Sequence, residues 1–184
     1  MDQINSIEEL FAAFDKLTVL IVGDVMIDSY LWGKSTRISP EAPVPIVNVV
    51  KREKRLGGAA NVALNVQALG ATPLLCSVIG DDQDGMDYLR LMEEKSLSTE
   101  GIVQSPERVT TIKHRIIAGA QQLLRVDSEI EHNLVAHEER HLEERFIQLL
   151  EKADVVIFED YDKGVFSKEN IQRFIELANE QNIP

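Results

Sequence analysis

The stretch Gly57-Gly58-Ala59-Ala60-Asn61 contains the residue types best suited to hold a small ligand. Two consecutive glycines let backbone N–H groups approach a ligand closely, and the small residues that follow begin a helix whose N-terminal end is electropositive. Gly57, Gly58 and Asn61 are therefore candidate binding residues. A glycine pair also occurs in strand-to-helix turns that bind nothing, so the residues around this corner must decide between the two interpretations.

Four further candidate side chains follow two apolar runs of strand length: Asp24 and Asp28 after the first run, and Asp160 and Lys163 after a later one. Ligands of open α/β sheets bind beyond the carboxyl ends of the strands, so these side chains are expected to meet at one sheet edge. Carboxylate oxygens accept hydrogen bonds from hydroxyl groups, which favours a sugar as the ligand. A capping role for Asp24 and an ordinary surface position for Lys163 are the alternatives.

The charge of the chain is negative but unevenly distributed. A net charge of −12 disfavours non-specific binding to nucleic acid or to a membrane surface, so neither partner is expected. Basic residues are nevertheless concentrated in two islands, 33–55 and 108–126. An anionic ligand gripped from both sides, most simply a phosphate, explains them, and protection of exposed strand edges is the alternative. The candidate phosphate contacts are Arg37, Lys113, Arg115 and Arg125.

The order of the elements predicts an α/β fold with a parallel sheet flanked by helices. Apolar runs of strand length alternate with helical patterns: strands at 18–22, 73–79 and 155–158, and helices at 59–69, 138–152 and 167–182. Three prolines within 40–45 predict an extended ribbon, and 109–126 is typical of a hairpin that would pair with it. Segments of about 30–52 and 108–127 are thus predicted to form a small β lid.

Other reactive residue types are assigned structural roles. The single cysteine, Cys76, lies in an apolar run and is expected to be buried and inert. His137-Glu138-Glu139-Arg140-His141 matches a zinc-protease pattern, but both histidines align with the polar face of their helix. The acidic loop 80–85 is expected to cap the next helix rather than bind a metal. No apolar run approaches the ~20 residues of a membrane span, and a cytoplasmic location is expected.

The motifs also resemble those of the ribokinase-like (PfkB) carbohydrate kinases, and most narrowly the heptose-7-phosphate kinases of ADP-heptose synthesis. The resemblance rests on four segments: Val22–Asp28, Arg37–Pro45, Gly57–Ala63, and Asp160-Tyr161 with Lys163-Gly164. It implies that Asp28, Gly58 and Asn61 hold sugar hydroxyls, and that the lid closes over the sugar and often forms a homodimer contact. It further implies that ATP with Mg²⁺ phosphorylates the anomeric hydroxyl, in a pathway toward lipopolysaccharide.

Two departures from this family qualify the resemblance. Glu159 and Asp162 add carboxylates where Ser and Ala are expected. The Gly-Ala-Gly-Asp turn that supplies the anion hole and the catalytic base does not occur in the sequence. The chain is therefore expected to be the N-terminal part of one kinase domain, without the part that binds most of the ATP and Mg²⁺. It should expose an unpaired sheet edge and show no ATP turnover alone, so no catalytic residue is assigned. The alternatives are another sugar or sugar-phosphate kinase, and a non-catalytic module for sugar-phosphate binding or dimerisation.

Overall fold

The computed structural model describes residues 6–184, which form five helices and eight strands. In chain order they are α1 (Ile7–Phe14), β1 (Thr18–Gly23), β2 (Val25–Ile38), β3 (Pro45–Gly58), α2 (Ala59–Ala68), β4 (Thr72–Gly80), α3 (Gln83–Glu94), β5 (Ile102–Ser105), β6 (Ile112–Ala118), β7 (Gln121–Ser128), α4 (Ala136–Leu150), β8 (Val155–Glu159) and α5 (Lys168–Glu180). None of these described helices is long and apolar enough to span a membrane.

The central sheet has the strand order β5-β4-β1-β8, and all of its pairings are parallel. Side chains of β1 alternate between its two faces: Ile21 packs with α2 and α3, whereas Leu20 and Val22 pack with α4 and α5. A strand buried on both faces reads as a continuous apolar run, which is why the first strand is evident from sequence. The predicted α/β fold with a parallel sheet flanked by helices is confirmed.

Two strands of this sheet differ from the sequence prediction. The apolar run at 155–158 predicts a buried strand, but all residues of β8 are only half-buried because β8 lies at the end of the sheet. Within residues 6–184 no second strand pairs with its outer side, where the Val156 N–H donates to the Pro184 carbonyl at 2.8 Å. β5 was not predicted, because a four-residue strand is too short to show a hydrophobic period.

A second sheet stands beside the first and forms the lid, with the order β3-β2-β6-β7. β2 and β3 form a long antiparallel ribbon, and the predicted hairpin β6-β7 joins it through a parallel pairing of β6 with β2. The ribbon is longer than the predicted segment 30–52, because its pairing continues inward to Val25 opposite Gly58. The lid strands therefore run without interruption into the glycine corner.

At one set of facing positions, the residues of all four lid strands carry charges that alternate in sign from strand to strand. Asp28 on β2 lies opposite Arg55 on β3 and Lys113 on β6, and Lys113 lies opposite Asp127 on β7. Opposite charges at facing positions stabilise strand pairs, typically by ~0.2–1 kcal/mol each. The second basic island is therefore also a determinant of how the lid strands pair.

Two residues further along the β6-β7 pair, two like charges lie opposite each other: Arg115 on β6 and Arg125 on β7. Facing like charges destabilise a sheet unless each finds a counterion. Arg115 forms an ion pair with Asp28, and Arg125 lies 3.1 Å from an oxygen of Asp127. The two arginines are thus kept close together by Asp28 and Asp127.

Candidate functional site

A cleft of about 590 Å³ lies between the lid and the carboxyl-terminal edge of the parallel sheet. It is lined by Met26, Asp28, Tyr30, Arg55, Leu56, Gly57, Gly58, Asn61, Lys113, Arg115, Arg125, Tyr161 and Lys163. Eight of the eleven binding residues predicted from the sequence are in this lining, and three (Asp24, Asp160 and Arg37) are not. The residues reach the cleft from the lid strands, from the first turn of α2 and from the loop after β8, so the site combines the lid with two segments of the body.

The glycine corner is built around close backbone approaches that a side chain would block. Gly58 has φ +60°, and a Cβ added there would collide with the Asp24 carbonyl, which accepts a hydrogen bond from Ala59 N–H at 2.9 Å. A Cβ on Gly57 would lie 2.7 Å from Oδ2 of Asp28. Gly57 therefore leaves room for the Asp28 carboxylate, and Gly58 supplies the left-handed conformation that begins α2.

The first turn of α2 opens onto the cleft. Gly58 is the N-cap of this helix and has no side chain to cap the first N–H groups, while Asn61 is exposed and lines the cleft. Uncapped N–H groups and the helix dipole favour an electron-rich ligand at this position. The sequence prediction of a binding corner at Gly57, Gly58 and Asn61 is consistent with this placement.

Asp28 is the central acid of the cleft. Its carboxylate is partly exposed and forms an ion pair with Arg115. The guanidinium carbons of Arg115 and Arg55 lie 5.4 and 5.0 Å from the centre of the Tyr30 ring, within cation–π distance. Asp28 therefore presents acceptor oxygens held in place from one side, next to an aromatic ring with two cations.

Asp24 has a different role from the predicted one, and the prediction that it binds the ligand is corrected here. Its side chain is 1% exposed and accepts hydrogen bonds from the N–H groups of Tyr161 (2.9 Å), Lys163 (3.2 Å) and Val165 (3.2 Å). Both of its carboxylate oxygens accept from backbone N–H groups of this loop. Asp24 therefore positions the loop after β8, which in turn carries Tyr161 and Lys163 into the cleft.

Arg108 holds the same loop, and its membership of a basic island is the one feature of the sequence that pointed to it. Its side chain is buried, at 7% exposure, and donates to the Lys163 carbonyl at 2.6 Å and the His132 carbonyl at 3.3 Å. Burial lowers the pKa of Arg108, against the opposing effect of the negative charges of Glu138 and Asp24. Arg108 is thus a structural cation, not a candidate for phosphate contact.

Asp160 and Arg37 also lie outside the cleft. Asp160 is exposed, and its Oδ1 accepts from the Asp162 N–H at 2.9 Å, so it stabilises a turn at the start of the loop. Arg37 is exposed near the outer end of β2, opposite Ile46. Asp160 lies near an acidic cluster in the sequence, but the direction of the loop after β8 takes it away from the cleft. Arg37 lies in a basic island, but the length of the β2-β3 ribbon takes it away from the cleft.

The two lysines of the cleft are paired with acids that are not among the site residues predicted from the sequence. Lys113 Nζ lies 3.2 Å from Asp127 and 2.7 Å from Glu129, and Lys163 Nζ lies 3.1 Å from Glu129. These acids follow the second basic island directly in the chain, beginning at Asp127. The base of the cleft is therefore a network of both charges and not an open cationic surface.

The other reactive residue types are accounted for by the fold. Cys76 is fully buried, and burial raises the pKa of its thiol to about 12, so it is inert as expected. Glu138 is buried and its Oε2 accepts from the Val135 N–H at 2.9 Å, which caps α4. Among residues 6–184 no group of three His, Cys, Asp or Glu side chains is arranged to hold a metal ion.

Comparison with known proteins places these features in context. The model of the pfkB family carbohydrate kinases matches residues 16–184. The bifunctional protein HldE of Helicobacter pylori strain P12 is 47% identical over 164 residues, which is 89% of this chain and 36% of that protein. HldE of Geobacter sulfurreducens is 38% identical over 180 residues, 98% of this chain and 37% of that protein.

A solved structure shows the same fold at low identity. Arabidopsis thaliana ribokinase, complexed with ribose and ATP, superposes with a TM-score of 0.61 at 12% identity, covering 91% of this chain and 52% of that one. The chain therefore spans little more than a third of the length of the curated relatives it matches and about half the length of this structural neighbour.

Proposed function

The chain belongs to the pfkB family of carbohydrate kinases, and on this premise we propose that it is the acceptor-binding part of a heptose-7-phosphate kinase. The reaction transfers the γ-phosphate of ATP to the anomeric hydroxyl of D-glycero-D-manno-heptose 7-phosphate, in the cytoplasm, on the route to ADP-heptose and the lipopolysaccharide core. The observation that carries the proposal is a single cleft that joins a glycine corner and a carboxylate to a group of cations. The similarity of the chain to HldE proteins supports the choice of heptose 7-phosphate as the sugar.

The lining of the cleft suits both the hydroxyls and the phosphate of a phosphorylated sugar. Asp28, Gly57, Gly58 and Asn61 provide carboxylate, amide and backbone groups that bind hydroxyls. Lys113, Arg115, Arg125 and Lys163 provide cations for a terminal phosphate. Four cations in one lining exceed what the hydroxyls of a neutral sugar need, so the lining favours an acceptor that already carries a phosphate.

ATP and Mg²⁺ are proposed to bind mainly outside these 184 residues. The described residues contain no set of three potential metal ligands, and none of them is assigned to Mg²⁺. The sequence contains neither the family's Gly-Ala-Gly-Asp turn nor a G-x-x-x-x-G-K-[ST] phosphate loop. The cofactor assignment rests on family membership and on the ATP-bound ribokinase with the same fold.

Calorimetric titration of the 184-residue chain with heptose 7-phosphate tests this function. We expect saturable binding of heptose 7-phosphate, binding of unphosphorylated heptose weaker by about tenfold or more, and no ADP release when ATP is added. Cooperative thermal unfolding of the same sample is the control for a folded chain. Equal affinity for both sugars would contradict a phosphate-binding lid.

The same titration separates the alternatives. Preferential binding of fructose 6-phosphate would indicate another sugar-phosphate kinase of the family. A chain that binds heptose 7-phosphate but supports no transfer, even when joined to the remaining part of an HldE relative, would be a non-catalytic binding or dimerisation module. The first alternative differs from the proposed function in the sugar that binds most tightly, and the second differs in the absence of phosphate transfer.

The outer face of the lid is proposed to form a homodimer contact. Val44, Pro45, Val47, Ile116, Leu123 and Leu124 line an apolar groove of about 440 Å³ on this face, and Leu124 is 54% exposed. An apolar groove on a sheet face is typical of a protein interface. We expect sedimentation to give a dimer, and Leu124→Arg to shift it to monomer, whereas Ile175→Arg on α5 should not. A monomeric wild-type chain at 100 μM, roughly the range where weak dimers form, would refute the contact.

A further inference from the structure

One carboxylate joins the lid to the loop after β8 by contacting two lysines that line the cleft. Glu129 lies one residue after the end of β7, and its two oxygens contact different lysines: Oε2 is 2.7 Å from Lys113 on the lid, and Oε1 is 3.1 Å from Lys163 on the loop after β8. The side chains of both lysines are only 14% exposed. Glu129 therefore sits between the two most protected cations of the cleft.

The charge balance at this position is unfavourable for a second anion. Asp127, Glu129 and Glu131 face Lys113 and Lys163, and Asp127 also pairs with Arg125, so carboxylates already balance the cations at this position. A phosphate dianion added to this network would bring excess negative charge close to these carboxylates. Like charges in a partly buried site repel strongly, so binding of a phosphate requires that one carboxylate give way.

Glu129 is the carboxylate that a phosphate can most readily displace from the two lysines. Asp127 lies within the β6-β7 ladder, opposite Lys113, and is also held by Arg125 at 3.1 Å. Glu131 is 69% exposed and touches only Lys163, so it contributes little charge to the interior of the cleft. Glu129 has no ladder pairing, bridges both lysines and is 20% exposed, so it occupies the point at which an anion would contact both.

We propose that Glu129 is a specificity-determining residue of the acceptor site, which competes with the terminal phosphate of the acceptor for Lys113 and Lys163. This inference rests on the proposed function, because it concerns the phosphate end of the same acceptor. Acceptors without a phosphate leave the Glu129 bridge in place. When a phosphorylated acceptor binds, its phosphate displaces the Glu129 carboxylate from Lys113 and Lys163. Part of the binding energy of that acceptor is used to break these two ion pairs.

The ionisation of Glu129 supports this competition. The hydrogen bond from Lys113 lowers the pKa of Glu129, against the opposing effect of burial, and the hydrogen bond from Lys163 lowers it further. Glu129 is therefore charged at neutral pH, facing Lys113, Lys163 and the neighbouring acids Asp127 and Glu131. A charged bridge competes with phosphate, whereas a neutral one would not.

Glu129→Gln is the decisive variant, since it removes the charge and keeps the shape. We expect its affinity for heptose 7-phosphate to rise by about tenfold, because the competing anion is gone, with no change for unphosphorylated heptose. Glu131→Gln is the matched control and should change neither affinity by more than about twofold. Unchanged or weaker binding of heptose 7-phosphate by Glu129→Gln would overturn the proposal.

Titration with inorganic phosphate at constant ionic strength distinguishes this proposal from the proposed function. If wild type fails to bind heptose 7-phosphate, the assignment of the sugar fails, but tighter phosphate binding by Glu129→Gln still supports the exchange. If wild type binds heptose 7-phosphate and Glu129→Gln gains nothing for either anion, the function stands and the exchange is refuted. Should Glu129→Gln not unfold cooperatively, Glu129→Asp replaces it, with a smaller gain in the same direction expected.

Discussion

Replacing Asp24 with alanine should lower the free energy of unfolding by on the order of 3 kcal/mol and abolish acceptor binding at ambient temperature. The Asp24 carboxylate is buried and accepts from three backbone N–H groups of the loop that carries Tyr161 and Lys163. Alanine would leave these donors buried without an acceptor, and each such loss costs ~1–3 kcal/mol. Arg108 would also lose a nearby negative charge that favours its protonated form.

Urea unfolding followed by circular dichroism measures this effect. Asp24→Asn should be intermediate, because its carbonyl can take the place of Oδ2 and keep the bonds to Tyr161 and Lys163, while its amide faces the Val165 N–H. Asp160→Ala on the same loop is the matched control, since its exposed carboxylate accepts only from Asp162. A loss of stability in Asp24→Ala no greater than in Asp160→Ala would show that the loop does not depend on this anchor.

Replacing Asp28 with alanine should reduce affinity for the acceptor sugar by about 100-fold while leaving the chain folded. The reason is that a hydroxyl bound to a charged acceptor contributes ~1.5–3 kcal/mol, and no other carboxylate lines the cleft. Both heptose 7-phosphate and unphosphorylated heptose should lose affinity, because the contact is with the sugar ring, and the phosphorylated sugar should lose less because Arg115 is freed from its ion pair with Asp28. The loss for the unphosphorylated sugar distinguishes Asp28 from Glu129, whose replacement should affect only the phosphorylated sugar.

Calorimetry with both sugars tests the role of Asp28. Asp84→Ala is a suitable control, since Asp84 is also paired with a lid cation, Lys54 at 2.8 Å, but lies outside the cleft. Asp28→Ala also leaves Arg115 facing Arg125 without its counterion, so its thermal stability is measured alongside. Retention of sugar affinity within about threefold would exclude Asp28 from hydroxyl binding.

Features that depend on neighbouring residues in the chain could be predicted from the sequence. β1 is evident because Leu20, Ile21 and Val22 are apolar in succession, as a strand buried on both faces requires. The corner at Gly57 and Gly58 is evident because only glycine fits the positive φ and the close approach to Asp28. Propensity, period and steric limits act over a few residues, so they leave a readable pattern.

The partners of polar side chains were decided only by the tertiary structure. Asp24 and Asp28 are four residues apart and chemically identical, yet one anchors a backbone loop 137 residues away and the other lines the cleft. Lys113 on β6 and Lys163 on the loop after β8 contact the same carboxylate, that of Glu129. Such contacts depend on strand order and on loop direction, which no local pattern contains. The sequence alone therefore determined most of the strands and helices and the glycine corner, and the packing of the lid against the body determined which charged groups line the cleft.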